Sequence, residues 1–160
     1  MGTQRFGLLS TNVRILLAFA TGVLVDRTFL HHSTPAQTGP LHGSIKQLDD
    51  TSSRPTSHKD QNGRSIMKQQ LLDAFVVPNF AGFSIATFEA GQSMMPPHDH
   101  VNLHEFFYVL SGSGIISIDN VEHEMKPGSF YHLTPHERHG IRVPPDTKED
   151  MKMAVFGVTV

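Results

Sequence analysis

The sequence predicts an all-β fold: one small barrel occupying residues 67–160 of a 160-residue chain. Three observations carry this. From residue 67 onward, apolar residues come in runs of four to nine, too short for a typical helix. Gly, Pro, Asn and Asp cut these runs at short, regular intervals, as turns do between strands. The 38% apolar content is below that of a fully globular chain, so part of the sequence builds no core.

In chain order, residues 1–30 read as a targeting signal or membrane anchor. Arg5 and Arg14 precede the first acid, Asp26, and residues 15–25 form an uncharged, largely apolar run of 11. That suits a signal-peptide core and falls short of the ~20 residues that span a bilayer. Residues 8–30 reach spanning length only by including Arg14, Asp26 and Arg27. A signal peptide, a short signal anchor and an organelle presequence all fit, as does a packed N-terminal helix. The first three place the protein in the secretory route, in an organelle or at a membrane.

Residues 31–66 read as a disordered linker. They are rich in Ser, Thr, Pro, Gln and Asp, and their few apolar residues keep no period. Such a segment buries too little surface to offset its ordering entropy. His31, His32, His42 and His58 are expected to be solvated there. Beyond it, strands are expected at 73–77, 83–88, 105–110, 115–118, 122–125, 129–133, 139–143 and 153–160. Phe75, Phe107, Phe130, Phe156, Met94 and Met153 are the interior candidates. Turns fall at Ser111-Gly112-Ser113-Gly114, Asp119-Asn120 and Pro127-Gly128.

Composition excludes several functions. A net charge of −2 provides no basic field for nucleic acid. Without cysteine there are no disulfides, thiolate metal sites or cysteine nucleophiles. Histidine is the outlier: seven of the 11 fall between His98 and His139.

His98 and His100 are two apart, so on an extended strand both imidazoles project from one face. Glu105 opens the next strand and shares a face with Phe107 and Val109. A carboxylate on an apolar face is costly unless paired, and a divalent cation is one such partner. His139 opens a later strand. Three imidazoles and one carboxylate suit Fe, Mn, Ni, Cu, Co or Zn, and suit Ca or Mg poorly. Among the neighbours, His104 points to the opposite face, His136 sits on a turn, and His123 and His132 lack the register. Tyr108, Tyr131, Arg138 and Arg142 are weaker candidates for proton donation or anion binding.

Gly91, six residues, His98-Asp99-His100, four residues, Glu105, six residues and Gly112 together resemble the first motif of the cupin superfamily. There is one extra residue after the first glycine. Gly128 and His139 keep the separation of the second motif, with Thr134 for its proline, His136 for its glycine and Val143 for its asparagine. Glycine is often used where φ is positive, and His is among the residues that tolerate that region comparatively well. The short spacing between Gly112 and Gly128 resembles compact single-domain cupins.

The resemblance implies a jelly-roll barrel, His98, His100, Glu105 and His139 as ligands of a divalent transition metal, and a homodimer. It covers roughly residues 72–160. It also implies a metal-dependent enzyme on a small organic substrate, dioxygenase-like first with lyase or isomerase chemistry as the alternative, and Glu105 as both ligand and base. Two alternatives stand beside it: a non-catalytic cupin that captures a small ligand or metal, and a metal-free structural or partner-binding domain. One scaffold hosts all of these, so the fold does not choose. The final strand, residues 153–160, is expected to pair across the dimer.

Overall fold

Alternation of apolar and polar residues sets the architecture. In the computed structural model, which describes residues 43–94 and 96–160, nine antiparallel strands form two sheets. The expected targeting segment, and the linker up to residue 42, lie outside the described residues.

The larger sheet runs in the order β1 (Ser53–Lys59), β2 (Ser65–Leu72), β3 (Phe80–Phe88), β9 (Met151–Thr159), β4 (Leu103–Ser111) and β7 (Phe130–Leu133). The smaller has β5 (Gly114–Ile118) between β6 (Val121–Met125) and β8 (His139–Arg142). One face of most strands builds the core: Ala86 and Phe88 from β3, Phe107 and Val109 from β4, Met151 and Met153 from β9. Ile116, Met125 and Ile141 come from the smaller sheet. This is the period-two pattern of sheets buried on one side. The result is a two-sheet barrel, all-β as the sequence predicted.

Several expectations need correction. The linker does not extend to residue 66, because residues 53–59 form β1 and Ser65 begins β2. β1 contains no apolar residue and carries Pro55, which an edge strand tolerates. Residues 73–77 are a turn rather than a strand. Phe75 has φ +62° and Asn79 φ +64°, and the Phe75 N–H bonds the Phe80 carbonyl. Phe75 and Phe130 are at least half exposed and so are not interior. Phe156 points outward, stacked on Phe106 at 4.8 Å. Phe107, Met94 and Met153 are buried as expected.

β9 cannot pair across a dimer, because β3 and β4 already occupy its two edges. Among the described residues, free edges belong to β1, β7 and β6, while the outer edge of β8 bonds the segment around Ser93 and His98.

Candidate metal centre

The four expected ligands arrive from three chain segments and meet inside the barrel. His98 and His100 lie on an extended stretch before β4 rather than on a regular strand. Backbone bonds fix that stretch to β8. The His98 N–H donates to the His139 carbonyl at 2.9 Å, and the His139 N–H returns to His98 at 2.7 Å. The His136 N–H reaches the His100 carbonyl at 2.8 Å. Glu105 projects inward from β4 on the face of Phe107 and Val109. One donor atom from each of His98, His100, Glu105 and His139 lies within 4.8 Å of the others.

Their orientation is informative. Glu105 Oε2 stands 3.1 Å from His139 Nε2 and 3.3 Å from His100 Nε2. These contacts lack hydrogen-bond alignment, and all three atoms are buried without a partner, as are both ring nitrogens of His98. Such orphans cost on the order of 1–3 kcal/mol each when nothing satisfies them. Their convergence on one point makes a cation the natural partner, and an N3O donor set fits a transition metal.

His139 is the most firmly positioned of the four. It is buried, and its Nδ1 faces the Glu137 carbonyl at 3.0 Å. A carbonyl only accepts, so Nδ1 carries the proton and Nε2 presents its lone pair to the site. The Glu137 carboxylate in turn accepts the Thr134 N–H at 2.6 Å. His136, which replaces the family's glycine in this turn, takes φ +71°. The left-handed conformation thus survives without glycine.

Electrostatics favours a cation. Burial raises the Glu105 carboxyl, but the facing His100 and His139 outweigh it and bring its pKa to about 2. Burial, with His58 and His139 nearby, lowers His98 to about 3, keeping it neutral. His139 is desolvated too, yet Glu105 and the Glu137 carbonyl raise it above its ordinary value. Glu105 therefore stays ionised at neutral pH, and His98 stays free of a competing proton.

Beside the four residues lies a cavity of about 150 Å³. Phe88, Met94, Phe107, Ile141 and Met153 give it an apolar lining, and Thr56, Ser57, His58, Lys68 and Ser84 a polar one. The His58 ring stacks on His98, centroids 4.5 Å apart and planes inclined by 30°. It is not the solvated linker residue expected from sequence. The β1–β2 register shifts between Pro55 and Lys59, and this irregularity brings His58 over the site. Thr56 Oγ1 accepts the His58 N–H at 3.1 Å and steadies it. No sequence signal marked His58 or Lys68, since neither belongs to a spaced motif.

The other candidates lie elsewhere. Tyr108 is exposed, the Tyr131 hydroxyl donates to the Glu124 carbonyl, and Arg142 pairs with Glu122 at 3.0 Å. Arg138 and His123 are exposed, and His104 pairs with His132 at 2.9 Å on the outer face.

Fold and site together define a double-sheet barrel with a converging His3Glu cluster at an internal cavity. Residues 84–156 match the cupin domain family, so this stretch of the chain is a cupin domain. Among solved structures, it is similar to a predicted oxalate decarboxylase from Thermotoga maritima, at 16% identity and TM-score 0.64. That match covers 73% of this chain and all of the other. A cupin 2 conserved barrel domain protein from Salinispora arenicola is 21% identical with TM-score 0.58, covering 75% and 92% of the two chains. A sugar phosphate isomerase from a cupin superfamily of Silicibacter pomeroyi is also 21% identical, with TM-score 0.61 and coverage of 73% and 76%. At these identities the likeness shows the fold alone. No curated protein matches the chain.

Proposed function

We propose that the protein is a metal-dependent cupin enzyme, dioxygenase-like, acting on a small organic molecule. The carrying observation is the set of orphaned donors at the cavity: His98, His100, Glu105 and His139 have no partners of their own and share one centre. They would hold one divalent transition metal ion. When bound, the ion supplies Lewis-acid polarisation of a substrate oxygen and, if iron or copper, access to dioxygen.

The chain's own residues do the rest. The apolar lining excludes bulk water and seats the carbon skeleton. The cavity is worth about five water molecules, so the substrate has few heavy atoms. Glu105, held near 2, is a weak proton acceptor at neutral pH and serves as a ligand. Homodimerisation, membrane attachment through residues 8–30, and a secretory, organellar or membrane-anchored location belong to the same proposal. They rest on the family resemblance and on the apolar run.

That low Glu105 pKa favours a second reading, capture of a small ligand or metal without turnover. Oxygen consumption by the iron-loaded chain with a panel of small organic acids, alcohols and diketones distinguishes the two. Uptake dependent on one compound and lost in Glu105→Gln supports the enzyme. Saturable binding with no uptake and no product supports the binding module.

A further inference from the structure

The polar lining of the cavity carries a charge that the four ligands do not use. Lys68 lies on β2 opposite Ala86 and Arg54 in the ladder, and lines the cavity with His58, His98 and Glu105. It is half-buried, and among the described residues no carboxylate pairs with its ammonium. Asp73, which acts on it electrostatically, contacts Arg54 instead at 3.7 Å. Burial, then Arg54, lowers the Lys68 pKa, as expected for a cation short of counter-charge.

A charge count identifies the missing partner. Glu105 is the one acid among the residues lining the cavity, and His100 and His139 already face it. A divalent ion held there exceeds its single negative charge, and Lys68 adds a further positive charge to the same cavity. Among the described residues, no second acid lines the cavity to balance them. The apolar side chains that line the same cavity lower the local dielectric and strengthen attraction for an anion.

We infer that the cavity takes a small carboxylate, with Lys68 as the residue that selects the charge and Ser84 as an adjacent hydroxyl donor. The ligand's carboxylate meets Lys68, and its second oxygen-bearing group points toward His98, His100, Glu105 and His139. This rests on the metal reading for the second contact only. Lys68 discriminates a carboxylate from a neutral amide of equal size, because only the former compensates the ammonium.

Calorimetric titration of the full-length, zinc-loaded chain with pyruvate and with its neutral isostere pyruvamide tests this. Zinc is assayed in the same samples. Lys68→Met should weaken pyruvate about tenfold, the loss of one charge-assisted hydrogen bond. Pyruvamide should stay within about twofold, and Lys68→Gln should repeat the pattern. Equal loss of both probes, unchanged pyruvate binding, or no binding of either by the wild type would overturn the inference. If zinc fails to load, the metal reading fails separately, and the metal-free chain still reports on Lys68. A pyruvate preference lost in Lys68→Met sustains its role; no preference refutes it.

Discussion

Replacing Gly112 with alanine should destabilise the barrel strongly, for reasons that two other glycines separate. Gly112 lies between β4, which carries Glu105, and β5, which pairs with the His139 strand β8. Its φ is +69°, and an added Cβ would fall 2.5 Å from the Asp150 carbonyl oxygen and 2.6 Å from Met151 Cα. Both are backbone atoms, so the start of β9 would have to recede by nearly an ångström. Left-handed geometry costs a non-glycine residue about 1–2 kcal/mol. Forcing atoms into a packed core adds roughly 1–3 kcal/mol. The total, about 2–5 kcal/mol, is a large share of the stability of a small domain. Gly128 has φ +88° with nothing near its missing Cβ, so Gly128→Ala isolates the conformational part, about 1–2 kcal/mol. Gly43 has neither constraint, and Gly43→Ala should stay within about 0.5 kcal/mol. Urea denaturation of the three variants should rank them in that order. If Gly112→Ala costs no more than Gly128→Ala, the packing of the β4–β5 turn against β9 is wrong as described.

Other perturbations follow from the site. Metal affinity should fall as pH drops through the raised pKa of His139, because the ion must displace a proton from Nε2. Titration in buffers of different ionisation enthalpy should show proton release that grows toward acid, and none at any pH contradicts this. His136→Gly should leave the fold intact and raise stability by up to about 1 kcal/mol, read as a higher urea midpoint, because it relieves a left-handed non-glycine residue. The Asp60 carboxylate accepts N–H bonds from Asn62 and Arg64 at 2.8 and 2.9 Å and pairs with the Arg64 side chain at 2.7 Å. Burial opposes these partners, but they win and lower its pKa below 3.8. Its contribution to stability is therefore full above that value and is lost as pH falls through the depressed one. Acid denaturation of Asp60→Asn should lose this part of the dependence, and an unchanged acid limb would refute it. Light scattering on the full chain tests the homodimer, which cannot use the edges of β9.

The fold and the clustering of His98, His100, Glu105 and His139 were legible because both depend on short-range geometry. Alternation placed Glu105 with Phe107 and Val109, and the two-residue step aligned His98 with His100. His139 was found by its distance from Gly128. What escaped had no local signature. β2 turns Lys68 rather than an apolar residue toward the cavity, and β1 has no apolar residue at all, so neither shows the period of a half-buried strand. Their pairing is decided by the neighbouring sheet. His58 thus looked like linker, although an irregular β1–β2 register sets it against His98. The run at 73–77 misled in the opposite sense. Its apolar content suggested a strand, yet Phe75 and Asn79 adopt left-handed conformations and the chain turns. The placement of β9 between β3 and β4 is a question of topology, which spacing along the chain does not encode.

The most direct test is elemental analysis of the full-length, untagged chain beside His139→Ala, Glu105→Gln and the exposed control His123→Ala, with folding checked by circular dichroism. The account predicts one transition-metal ion per chain in the wild type and the control, and loss of that ion in the other two while the barrel persists. A wild type that holds no metal after reconstitution with iron, manganese, nickel and zinc would contradict it, as would a metal content that His139→Ala leaves unchanged.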